Sequence, residues 1–214
     1  MSLSYLYRCA LYLLGMVINF LGVALIVKSA MGAGFWAALF TGMSQHFGLT
    51  VGIWYGSFQF VFIFVNSYLL RRRPEYGAII PLVLEGIILD FWLEKAFKNI
   101  HLTADPLYVK LAVLALGVVC VGLGVAIYIV PGFPRAPVDQ LFLAFSERFN
   151  WSIGVSQTVV AVMVAGAAFL IGGPVGIGTA VVTFSLGTVI QFWHKRLAFL
   201  NRLCFPQDMW YSAH

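Results

Sequence analysis

Residues 14–93 and 116–194 carry the same apolar, glycine-punctuated pattern, so whatever the first stretch folds into the second must fold into as well. At an offset of 102, Leu14, Gly15 and Val17 align with Leu116, Gly117 and Val119, and Gly22, Val23 and Ala24 align with Gly124, Val125 and Ala126. The match runs on through Ser44, Phe47 and Gly52 against Ser146, Phe149 and Gly154. One residue is lost in the next loop. Gly77, Gly86, Phe91 and Trp92 then match Gly178, Gly187, Phe192 and Trp193 at an offset of 101. Apolar identities recur by chance in any hydrophobic chain; glycines and a Phe-Trp pair recurring in order carry the weight. Each unit holds three long apolar stretches, and an odd number of crossings turns the second unit upside down relative to the first.

A chain of 214 residues that is 61% hydrophobic and 10% charged is too poor in charge for a soluble domain. Six stretches, about 8–27, 51–70, 76–94, 108–130, 152–171 and 177–194, are long enough as helices to cross a hydrocarbon core of roughly 30 Å. Two further helical patterns, 35–47 and 138–149, occupy equivalent places in the two units and are too short to span. The first stretch exceeds a signal-peptide core and runs straight into the repeat, so it reads as a retained helix. The expected fold is therefore an all-α polytopic membrane protein: six transmembrane helices in a 3+3 inverted repeat, with two short re-entrant or interfacial helices. The first unit covers 1–99, the second 100–200, and 201–214 forms a short cytoplasmic or interfacial tail with Trp210 and Tyr211 at headgroup level.

Lysine and arginine set the orientation. With the N-terminus in the cytoplasm, Arg8, Arg71, Arg72, Arg73, Arg135, Arg148, Lys195, Arg196 and Arg202 fall inside, while Lys28, Lys95, Lys98 and Lys110 fall outside. This asymmetry favours an inner-membrane chain with both termini cytoplasmic. Anionic headgroups account for a pI near 9.2, and no nucleic-acid partner is implied.

Paired Gly/Pro-interrupted segments are the best pointer to a binding site in such a repeat. Here they are Lys28-Ser-Ala-Met-Gly-Ala-Gly-Phe-Trp36 and Val130-Pro-Gly-Phe-Pro-Arg-Ala-Pro-Val138. Each precedes a short helix whose N-terminal N–H groups attract anions, with Lys28 and Arg135 nearby. An anionic solute suits that field. The expected substrate-binding residues are Lys28, Ser29, Gly32, Gly34, Trp36, Arg135, Asp139 and Gln157. Plainer readings stand beside this one: Pro137 and Asp139 are ordinary helix-start residues, and Arg135 can snorkel to the headgroups.

Glu85 lies at the middle of the third span, where an ionisable group costs roughly 2.5–3.5 kcal/mol on insertion scales. It is a candidate proton-coupling carboxylate, or a buried carboxyl paired for packing. Asp90, the second coupling candidate, lies about 140° round the helix from it and can equally cap a neighbouring helix. Asn19, Gln59, Asn66, Gln157 and Gln191 can hydrogen-bond between helices. Gly52 and Gly56 read as a close-packing motif. The loop Gly172–Gly178 lacks the Lys-Ser/Thr of a phosphate cradle and reads as a tight external turn. Three cysteines and four histidines are scattered without ligand spacing, so no metal, cofactor or enzyme chemistry is expected.

Met31-Gly-Ala-Gly-Phe-Trp36 with Gly48-Leu-Thr-Val-Gly52, and Pro134-Arg-Ala-Pro-Val-Asp139 with Gly173-Pro-Val-Gly-Ile-Gly-Thr179, resemble the signatures of YczE/YyaS/YitT-type bacterial membrane proteins. The likeness covers residues 10–194. It implies a small polytopic inner-membrane protein with duplicated spans and brings no substrate with it. Arg135, Asp139 and Asp90 match positions of that pattern. Ala37 stands where the pattern often has Asp, Gln157 and Ala161 stand where it has Arg and Glu, and Glu85 is particular to this chain.

The first functional expectation is a secondary transporter or facilitator of a small solute, with residues 28–37 and 131–140 forming a midplane site. The alternative is a non-transporting membrane subunit or scaffold that acts with a partner complex. Glycine-rich helices also allow a homodimer or a partner membrane protein, with the lipid bilayer as the constant partner. A polar cavity shared by Glu85, Arg135 and Asp139 favours the first, a dry interior the second.

Overall fold

The structure, a computed structural model, describes residues 3–134, 136–151 and 153–197. Arg135 and the tail 201–214 lie outside the described residues. Eight α-helices follow one another among those described, with no strand: α1 (Leu3–Lys28), α2 (Phe35–Phe47), α3 (Val51–Leu70), α4 (Ile79–Asp90), α5 (Leu107–Ile129), α6 (Pro137–Phe149), α7 (Ile153–Leu170) and α8 (Ile177–Arg196). A 3-10 turn at Tyr76–Ala78 leads into α4, and a π-helical turn at Phe91–Ala96 extends it.

Four helical stretches are long and apolar enough to cross a membrane: Tyr5–Lys28, Val51–Leu70, Tyr76–Ala96 and Leu107–Ile129. Six were expected. α7 is apolar but shorter over its described part, and α8 has the length while Gln191, His194, Lys195 and Arg196 dilute its last turns. The two short helices fall where the sequence places them, α6 starting one residue early because Pro137 takes its first helical position.

The helix ends have local causes. α1 stops where Ser29 Oγ bonds back to the Ile26 carbonyl at 2.7 Å and Ala30 turns left-handed at φ 57°. One unit later, α5 stops before Gly132, with φ 68°. Ser44 Oγ donates to the Leu49 carbonyl at 2.8 Å after α2, and Ser146 Oγ donates to the Trp151 carbonyl at 2.6 Å after α6. These are the same bonds at positions 102 apart.

α1 and α5 run antiparallel along a seam of four glycines. A Cβ on Gly15 would lie 2.8 Å from the Gly124 carbonyl, and one on Gly22 would lie 2.6 Å from the Gly117 carbonyl. Gly15 corresponds to Gly117 and Gly22 to Gly124, so exchanging the two units turns one contact into the other. Small residues let the backbones approach without a hydrophobic driving force, which lipid does not supply. Around this seam α2 packs on α7 and α6 on α3, again an exchanged pair.

The loop after α7 is not the external turn expected. Ala33 N–H donates to the Pro174 carbonyl and Gly178 N–H to the Met31 carbonyl, both at 2.8 Å. The loop is thereby stitched along the broken segment after α1, and this contact between residues some 140 apart has no local signature. At the equivalent place in the other unit, Gly77 lies against Pro134.

Candidate functional site

Three buried polar residues, Gln59, Asn66 and Glu85, gather where α6 begins. Glu85, at mid-α4, is only 2% exposed. Its Oε2 accepts hydrogen bonds from the Gln59 amide and, at 3.2 Å, from the Tyr55 hydroxyl. Tyr55 and Gln59 stand one turn apart on α3, so they present neighbouring donors to one carboxylate oxygen. Gln59 then uses Oε1 to accept the Val138 backbone N–H at 3.3 Å. That N–H belongs to the first turn of α6, where no intrahelical acceptor exists. Asn66, two turns further along α3, donates from Nδ2 to the Pro137 carbonyl at 2.8 Å. Asp139 Oδ2 accepts the Tyr128 hydroxyl at 2.6 Å.

Beside this network lies a cavity of about 210 Å³, to which all eight helices contribute. Positions one unit apart both line it: Asn19 and Val121, Ala37 and Asp139, Tyr55 and Gln157 at an offset of 102; Glu85 and Leu186, Leu89 and Ile190 at 101. The frame is paired, the chemistry is not. One side brings Glu85 and Tyr55 where the other brings Leu186 and Gln157. Trp36 and Phe142 add aromatic surface, and Trp36 Nε1 is buried without a hydrogen-bond partner.

Of the residues expected at the site, Gly34, Trp36, Asp139, Gln157 and Glu85 line this one cavity. Lys28, Ser29 and Gly32 do not. Lys28 is half-buried at the end of α1, Ser29 is spent on the α1 terminus, and Gly32 packs against Gly176 and Thr179. Asp90 is also elsewhere: it accepts the Thr50 hydroxyl and, at 2.7 Å, the Gly52 N–H, so it holds the start of α3. Arg135 lies outside the described residues, next in sequence to the cavity-lining Ala136. Tyr55 and Tyr128 were missed as wall residues, whereas Asn19, singled out in the sequence as a polar residue within a span, is one. Laying the two units over each other would have found Tyr55, since it is the counterpart of Gln157. Among the described residues no group of His, Cys, Asp and Glu is arranged to hold a metal ion.

A helical bundle with four helices long and apolar enough to cross a membrane is that of a membrane protein. The chain belongs to DUF6198, a family of unknown function, which it matches over residues 6–195. It is 32% identical over 187 residues to the uncharacterized membrane protein YczE of Bacillus subtilis, covering 86% of this chain and 84% of that one. It is 34% identical over 179 residues to the uncharacterized protein YyaS of the same organism, covering 84% and 88% respectively. An uncharacterized protein of Haemophilus influenzae is 25% identical over 189 residues, 87% of this chain and 83% of its own length. No solved structure matches the chain.

Proposed function

We propose that this protein is a secondary transporter or facilitator of a small solute, with the central cavity as its site and Glu85 as the group that couples binding to protonation. One observation carries the reading: the cavity is walled by positions one unit apart, so it sits where the two copies meet. Inverted-repeat transporters bind at that place, beside broken helices and short-helix N-termini. The exchanged glycine contacts between α1 and α5, and the exchanged packing of α2 on α7 and α6 on α3, support a 3+3 inverted arrangement with α7 and α8 as the fifth and sixth spans. Rocking of one copy against the other would open the cavity to each side in turn. The distribution of lysine and arginine supports an inner-membrane protein with both termini in the cytoplasm. No bond-making chemistry is assigned to it.

A thermal-shift screen of the purified protein with metabolites of varied charge, followed by uptake of the hits into proteoliposomes under a pH gradient, tests this. Wild type should accumulate a stabilising solute in response to the gradient, and Glu85→Gln should lose that response. If no solute that binds the cavity crosses the membrane, the transport reading falls.

A further inference from the structure

We infer that the cavity recognises a small protonated amine with an apolar body, its ammonium group placed against Glu85. The inference rests on the reading of this cavity as the solute site, and adds to it a substrate class opposite in charge to the one that the broken segments of the sequence favour.

Glu85 is 2% exposed, and both of its hydrogen bonds reach the same oxygen, Oε2, from neutral donors. Among the described residues no donor reaches Oε1. Glu85 lines the cavity, and a carboxylate orientated by two donors at one oxygen keeps the other for a further donor; left as a bare anion in such surroundings it carries a heavy desolvation cost. Either a proton or a bound cation balances it, which gives exchange of one for the other. The amides of Asn19 and Gln157 also face the cavity and make no hydrogen bond with the described protein, so their carbonyl oxygens are available to further N–H groups. The rest of the wall is apolar or aromatic, with Phe20, Trp36, Tyr55 and Phe142 supplying aromatic surface suited to a cation and its hydrocarbon part. Among the described residues no lysine, arginine or histidine lines the cavity. A carboxylate-bearing solute would meet repulsion from Glu85 in a low-dielectric space.

Benzylammonium, benzyl alcohol and benzoate share one ring and differ in charge, so binding of the three to the detergent-purified full chain isolates the electrostatic term. Benzylammonium should bind about tenfold or more tightly than either other compound. In Glu85→Gln that preference should vanish while weak binding of benzyl alcohol persists, and Glu85→Asp should restore part of it. Equal or tighter binding of benzoate, above all if lost in Arg135→Ala, overturns the inference in favour of an anion site. Binding of none of the three, or a preference that survives Glu85→Gln, also overturns it. Proteoliposome uptake separates the two readings. Benzylammonium that binds but is not carried sinks transport and leaves the cation site, whereas benzoate that is carried does the reverse.

Discussion

α4 and α8 hold the same place in the two units but rest on different neighbours. α4 lies along α3, where a Cβ on Gly52 would run into the Gly86 carbonyl and come within 2.6 Å of the Asp90 carboxylate. α8 lies along α5, where a Cβ on Gly122 would lie 2.5 Å from Val189, and Gly187, the counterpart of Gly86, has nothing within 4 Å. The reason is visible at one position. Asp90 bonds to the N-terminus of α3 and pins α4 there, while its counterpart Gln191 is exposed on α8. The two units keep in common the α1–α5 seam and the turns around the short helices, which set where the cavity is. They differ in how the last helix docks and in what it carries inward, Glu85 from α4 against Leu186 from α8. A paired frame thus holds a carboxyl group that has no counterpart.

The largest effect is expected at the seam that both units share. Gly22→Leu should cost about 3 kcal/mol or more, because the Gly117 carbonyl and Val121 leave no room and both belong to a packed helix; a drop in unfolding temperature of the purified protein measures it. Next comes the carboxyl group without a counterpart. Glu85→Gln should lower proton-driven uptake by about tenfold or more while Leu186→Gln, at the corresponding position, leaves the pH dependence in place. Equal loss from both would show that the cavity uses its two walls alike.

Smaller effects sharpen the docking difference. Gly52→Ala should destabilise by about 1–3 kcal/mol through the α3–α4 contact. Asp90→Asn should cost about 1–2 kcal/mol, since a charge-assisted bond to a helix N-terminus becomes a neutral one. Gln191→Ala, at the equivalent position, should stay within about 0.5 kcal/mol. At the far end of the scale, Gly187→Ala should be neutral or stabilise by up to about 1 kcal/mol, from helix propensity alone. Chemical unfolding in one detergent compares all four, and a clear loss in Gly187→Ala would mean that a further surface covers α8.

The sequence by itself determined the helical segments of this protein. Helix ends are local events, so Gly/Pro breaks and apolar periodicity place α2 and α3 to the residue and the others within a few. Glu85 was conspicuous because an ionisable group amid apolar neighbours is costly wherever that helix lies. Which residues share the cavity was decided only by tertiary structure. The direction in which a side chain points depends on the partner its helix packs against. Hence Lys28 dropped away from the wall, Asp90 became a cap for α3, and Tyr55 and Gln59 turned toward Glu85. The loop 172–178 makes the same point: its glycines look like an isolated turn until the broken segment after α1, some 140 residues earlier, supplies the carbonyl and N–H groups that they meet. Hydrogen bonds between distant backbones leave no periodic trace in the chain, whereas a repeated unit does.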